Sequence, residues 1–176
     1  MMKSIEAAVF GGGCFWCTEA IFQNLRGVVS VVPGYAGGTK PAPTYEEVST
    51  GLTGHAEVIR VEFDPRQITF ETLLEVFFAL HDPTTKNRQG DDVGTQYRSI
   101  ILYTTPAQRV MAETYIAELK KTLPVTTELV PLTKFYEAEE YHRNYYQNNF
   151  QKPYCQVVIS PKLIKLREKF GVLVQK

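Results

Sequence analysis

Residues 7–17 read Ala7-Ala8-Val9-Phe10-Gly11-Gly12-Gly13-Cys14-Phe15-Trp16-Cys17. This stretch decides the fold class, because an apolar run meets three glycines and then a cysteine pair. Ala7–Phe10 predicts a buried strand. The glycines let the backbone turn sharply and approach a ligand closely. Cys14 then falls at the start of a helix. Unpaired N–H groups and the positive end of the helix dipole favour a thiolate there. Cys14 is therefore a candidate nucleophile before any other residue is weighed. The chain's one tryptophan, Trp16, stands beside it.

Outward from this motif, Glu19–Leu25 predicts a helix. Val28–Tyr35 predicts a strand broken at Pro33-Gly34. Tyr45–Ser49 predicts a short helix. His55–Asp64 alternates apolar and polar residues, the pattern of a half-buried strand, and Pro65 ends it. Thr69 is placed to cap a helix reaching Leu80. His81–Thr95 is a polar loop, long enough for a functional role. Tyr97–Tyr103 predicts a strand, and Pro106 opens a helix to about Thr122. Glu128–Val130 predicts a strand and Glu137–Tyr146 a helix. Gln147–Tyr154 reads as a polar, aromatic loop leading to Cys155, and Pro161–Phe170 as a final amphipathic helix. The order predicts an α+β two-layer sandwich with a ferredoxin-like core. Helices lie on a mixed or antiparallel sheet, and the C-terminal segment is long and irregular.

Composition bounds the function. The 176 residues are expected to form one catalytic domain, 1–176. Nineteen Lys and Arg balance nineteen Asp and Glu, so the formal net charge is zero. A neutral balance offers nothing to nucleic acid or to an anionic membrane. No apolar run approaches the ~18 residues of a membrane span. Glu6 and the glycines interrupt any signal-like region. A cytoplasmic protein is expected, as a monomer. Three cysteines in a reducing compartment point to redox or nucleophilic chemistry rather than a disulfide framework.

Cys14-Phe15-Trp16-Cys17 admits several readings. A zinc site needs more ligands than Cys155 and three scattered histidines supply, so no metal is expected. A thioredoxin-like dithiol fits a C-x-x-C at a helix start, but it leaves the other clustered polar residues without a task. Buried structural cysteines account poorly for a thiol set after three glycines.

Gly13-Cys14-Phe15-Trp16-Cys17-Thr18-Glu19 resembles the signature of the A-type peptide methionine sulfoxide reductases. Further segments match in the same order. They are Gly34–Gly38, Pro43-Thr44-Tyr45, Gly54-His55-Ala56-Glu57, Asp92–Ser99, Tyr141-His142 and Pro153-Tyr154-Cys155. The resemblance runs from about Ala8 to Phe170. It implies thiol-dependent reduction of methionine-S-sulfoxide, free or in proteins and peptides, with no bound cofactor.

The resemblance also implies roles. Cys14 is the nucleophile, and Glu57 is the general acid for the departing oxygen. Tyr45 and Tyr97 hydrogen-bond the sulfoxide oxygen. Asp92 orients that network. Phe15 and Trp16 form the pocket for the substrate's methyl group. Attack leaves a sulfenic acid on Cys14, which a second thiol resolves to a disulfide. Cys155 is preferred for that step because it follows the polar segment Gln147–Pro153, taken as mobile, and Cys17 is the rival. Thioredoxin is the implied reductant. The tyrosine-rich stretch Tyr136–Tyr154 is read as packing, His142 as structural, and His55 as lying on the strand face opposite Glu57.

Overall fold

A computed structural model describes residues 4–176. β1 (Glu6–Gly12) leads through the glycine turn into α1 (Phe15–Gln23), followed by β2 (Val28–Ala36), α2 (Tyr45–Ser49) and β3 (Ala56–Phe63). Then come α3 (Phe70–Ala79), the hairpin β4 (Arg88–Gln89) and β5 (Asp92–Val93), β6 (Ser99–Tyr103) and α4 (Pro106–Leu119). The chain ends with β7 (Glu128–Pro131), β8 (Phe135–Glu137), α5 (Tyr145–Asn149), a π-helical turn at Cys155–Ile159, α6 (Ser160–Phe170) and a short 3-10 turn, Gly171–Leu173.

Six strands form one sheet in the order β7-β6-β1-β3-β2-β8. β1 runs antiparallel to both neighbours, with Val9 opposite Arg60 on β3 and Leu102 on β6. β7 joins β6 in parallel, so the sheet is mixed, as expected. The pleat sorts side chains by parity. Ala8, Phe10, Ile59, Val61 and Phe63 enter the large core with α1, α3, α4 and α6. Val9, Val58, Ile100 and Leu102 form a second cluster under Leu132 and Phe135. The Phe10 ring lies 5.5 Å from that of Phe22, 6.0 Å from Phe70 and 5.0 Å from Phe77, tying β1 to α1 and α3. Among the described residues the buried core contains no methionine, and Met111 is exposed on α4. No helix among them is long and apolar enough to cross a membrane.

The cap expected at Thr69 forms. Thr69 Oγ1 accepts the N–H of Thr72 at 3.1 Å. Thr44 and Glu47 close a capping box on α2. Each cap of this kind contributes about 1 kcal/mol.

Four expectations change. β2 runs unbroken through Pro33-Gly34, because the Pro33 carbonyl accepts Ala138 N–H at 2.9 Å. The missing side chain of Gly34 makes room for the Phe135 ring. β3 is covered on both faces rather than half-buried, since a second apolar layer lies over Ala56 and Val58. The helix expected at Glu137–Tyr146 is the end of β8, a 3-10 turn at Glu140–His142 and a left-handed Asn144 (φ +51°). Finally, the C-terminal segment expected to be irregular is a chain of short helical turns, and Cys155 starts the π-helical one.

Candidate active site

Gly13 has φ +96°, a conformation that glycine adopts without strain. A Cβ there would lie 2.6 Å from the Gln89 side chain of β4. The turn delivers Cys14 to the N-cap of α1, where its carbonyl accepts Cys17 N–H at 3.1 Å. The Cys14 thiol is almost wholly buried. Burial pushes its pKa well above the ordinary value, and the Cys17 thiol and the Glu57 carboxyl add to this. The Trp16 N–H pulls the other way and loses. The thiolate expected from the helix start is therefore overruled by desolvation. Cys17 is the more acidic thiol. The neighbouring Cys14 thiol brings it down to about 7 against its own burial, and Lys162 and Tyr154 assist.

Glu57 sits on β3, 2% exposed, on the helix side of the sheet. Its Oε2 accepts Phe15 N–H at 3.1 Å, satisfying one of the free donors at the start of α1. Burial raises its pKa to about 8, so the buried group is a neutral carboxylic acid at pH 7. Tyr45 opens α2, and Tyr97 ends the 3-10 turn Thr95–Tyr97. Burial first, then the Glu57 charge, raises both phenols, Tyr45 to about 12. Both are hydrogen-bond donors near Cys14 and Glu57.

Asp92, at the start of β5, accepts the Tyr154 hydroxyl at 3.0 Å. Its protein partner is thus Tyr154, with no direct bond to Tyr45 or Tyr97. Phe15 is fully buried, with its ring 4.9 Å from His142 and 5.7 Å from Tyr35. Trp16 is partly exposed and stacks on Tyr145. Its indole N–H donates to His142 Nδ1 at 2.9 Å. That bond places the histidine proton on Nε2.

His55 stands apart from this group. Two positions apart on a strand share a face, so the separation expected from the pleat does not apply. His55 precedes β3 and is taken up by Gly38 N–H at 3.1 Å and the Lys40 carbonyl at 2.7 Å.

Sequence reasoning missed two carboxylates and underrated two tyrosines. Glu19, 1% exposed, accepts the N–H groups of Asn144 and Tyr145 at 3.1 and 3.3 Å. It thereby seats α5 and its Tyr145 ring. Glu139 accepts Tyr45 N–H at 3.0 Å and the Tyr35 hydroxyl at 2.9 Å. Tyr145 and Tyr154 line Trp16 rather than packing elsewhere. The Tyr141-His142 and Pro153-Tyr154-Cys155 segments of the resemblance were the available signal.

Among the described residues, no three His, Cys, Asp or Glu side chains gather in a way that could hold a metal ion. A buried thiol beside a neutral acid and two phenols suits removal of an oxygen atom. The fold and site together define a thiol-based oxidoreductase. The chain belongs to the peptide methionine sulfoxide reductase family, whose model matches residues 6–172. A peptide methionine sulfoxide reductase MsrA of Sulfolobus acidocaldarius is 56% identical over 94% of this chain and 96% of its own length. Methionine sulfoxide reductase A of Corynebacterium diphtheriae superposes with TM-score 0.78 at 38% identity, over 86% of this chain and 78% of that one. The crystal structure of Mxr1 from Saccharomyces cerevisiae in complex with Trx2 matches with TM-score 0.56 at 26% identity, over 80% of this chain and 84% of that one.

Proposed function

We propose that this chain reduces methionine-S-sulfoxide, free or in proteins, with Cys14 as the nucleophile and Glu57 as the acid, and that residues 1–176 act as one catalytic domain. The observation that carries the reading is the neutral Glu57 carboxyl held against the first turn of α1, beside the Cys14 thiol. Glu57 gives its proton to the sulfoxide oxygen, while Tyr45 and Tyr97 donate hydrogen bonds to it. Cys14 sulfur attacks the substrate sulfur, the protonated oxygen passes to Cys14 sulfur as the transient S–S bond breaks, and the proton leaving Cys14 restores Glu57. The substrate sulfur is reduced and leaves as methionine. Cys14 is oxidised to the sulfenic acid and keeps the oxygen. Phe15 and Trp16 form the pocket for the substrate's methyl group, both rings packed on His142.

Resolution proceeds by relay. The sequence favoured Cys155 as the first thiol to attack, on the strength of a mobile segment before it and of its match to a resolving position of the family. That segment is partly α5, and Cys155 is fully buried. The place of Cys17 on the first turn of α1, three residues from Cys14, and its lower pKa support it as the first. Its sulfur bonds to Cys14 sulfur, the S–O bond breaks, and the oxygen leaves as water. Cys155, whose charge environment includes Cys17, then attacks Cys17 and frees Cys14. The Cys17–Cys155 disulfide passes to thioredoxin. The Mxr1 structure in complex with Trx2 supports that partner. The three free thiols fit work in the reducing cytoplasm.

Separate S- and R-sulfoxide substrates assayed with dithiothreitol test the reading. Turnover of the S form alone is expected, and none by Cys14→Ser. Turnover of a disulfide without either sulfoxide would replace it with dithiol exchange.

A further inference from the structure

Tyr154 lies between the two halves of the reaction. Its hydroxyl donates to Asp92 Oδ2 at 3.0 Å and stands 3.6 Å from Cys17 Sγ. Its ring meets Trp16 edge-on with centroids 5.9 Å apart. A phenol carries one proton, so it can donate to Asp92 or to Cys17 but not fully to both. While Cys17 is a thiol, its S–H is the donor and Tyr154 serves Asp92. Once Cys17 is a thiolate, the sulfur becomes the acceptor.

We infer that the Tyr154 hydroxyl activates Cys17 for the resolving step, turning its hydrogen bond from Asp92 to the Cys17 thiolate as that thiolate forms. The inference rests on Cys17 being the first thiol to attack the Cys14 sulfenic acid. A resolving thiol needs its ionised form at working pH, and a hydrogen bond to sulfur supplies it without a cationic partner in contact. The ionisable groups around Cys17 are Cys14 on its own helix, Glu57 on β3, Asp92 on β5, Cys155, and Lys162 on α6. Lys162 favours the thiolate and Asp92 opposes it. The Tyr154 bond therefore opposes the neighbouring carboxylate where a thiolate is needed. In the resolving step itself, the Cys17 thiolate forms the S–S bond, the S–O bond of Cys14 breaks, and the leaving hydroxyl takes one proton from Glu57 and departs as water.

Tyr154→Phe keeps the ring and removes only the hydroxyl. The losing donor should raise the Cys17 pKa by about one. Attack depends on both thiolate fraction and nucleophilicity, which rises with pKa. Disulfide formation should therefore run about threefold slower than in the parent at pH 6 and about threefold faster at pH 9, with the two profiles crossing near about pH 7.5. A merely structural tyrosine would shift both limbs the same way. The readouts are 13Cβ NMR titration of the cysteine-labelled full chain, assigned with Cys17→Ser, and the rate of disulfide formation after one substrate turnover. Asp92→Asn is the opposing control and should lower the Cys17 pKa. An unchanged Cys17 titration in a Tyr154→Phe protein with the parent's melting midpoint overturns the inference. A Cys17→Ser protein that recycles at the parent's rate overturns the relay instead, whatever the titration shows.

Discussion

The Trp16 indole and the Tyr145 phenol stack face to face, with centroids 3.6 Å apart and planes 4° from parallel. Glu19 holds the partner ring by binding the first N–H groups of α5. Stacking of this kind contributes about 0.5–1.5 kcal/mol beyond area burial. Tyr145→Ala should raise KM for the sulfoxide about two- to tenfold with little change in single-turnover rate at saturation. Tyr145→Phe should stay near the parent. Steady-state and single-turnover kinetics on both variants check this.

His142 accepts the Trp16 N–H through Nδ1, so protonating that nitrogen breaks the bond. Burial holds the His142 pKa below its ordinary 6.5, so the change lies on the acid side of that value. The folded state then binds fewer protons than the unfolded chain, and stability falls as pH drops from 6.5 through the folded pKa. KM should rise over the same window, together with a shift in the emission of the single tryptophan. His142→Asn places an amide oxygen close to the Nδ1 position and should flatten both acid limbs. An emission maximum independent of pH in the parent removes His142 as the cause.

Glu57 is an acid kept neutral by burial. Glu57→Ala should slow single-turnover methionine release by about 10²–10⁴-fold. In the parent, release should fall as pH rises past about 8, where the proton is lost. The same shift acts on stability. The folded state holds a proton the unfolded chain releases, so stability declines as pH rises from 4.5 towards about 8. Glu57→Gln should therefore melt higher than the parent at pH 7, by about 2–4 °C per kcal/mol gained. The difference should vanish as pH falls to the ordinary carboxyl range. Calorimetry across pH decides it.

The thiols have separable duties. Cys14→Ser should release no methionine in any turnover. Cys155→Ser should release it stoichiometrically, accumulate a Cys14–Cys17 disulfide and recycle poorly with thioredoxin. Mass mapping of the oxidised parent should find Cys17 joined to Cys155. A Cys14–Cys155 bond in the parent, with normal recycling by Cys17→Ser, would restore the order first read from the sequence.

Signals carried within a few residues were legible. The glycine turn, the N-cap position of Cys14, and the Thr69 cap each depend on neighbours in sequence. Partners set by the folded chain were not. β8 is three residues long and exists through its pairing with β2. The helical spacing around Tyr141 and Tyr145 is cut by the left-handed Asn144, whose own N–H is held by Glu19, 125 positions earlier. The acidity of Cys14 was misread for the same reason. The local field of the helix start was visible, whereas the burial that defeats it comes from segments across the chain.

The absence of methionine from the described core carries a last consequence. Oxidation turns a pliable apolar side chain into a polar one, which a packed interior cannot absorb. Met111 stands on the open face of α4, about half exposed, where an added oxygen can reach water. The conditions that create this enzyme's substrate thus find no methionine to oxidise in its described interior. Its working lifetime under oxidant should be limited by its thiols rather than by loss of packing, and a second copy can reach the one described methionine that does take damage.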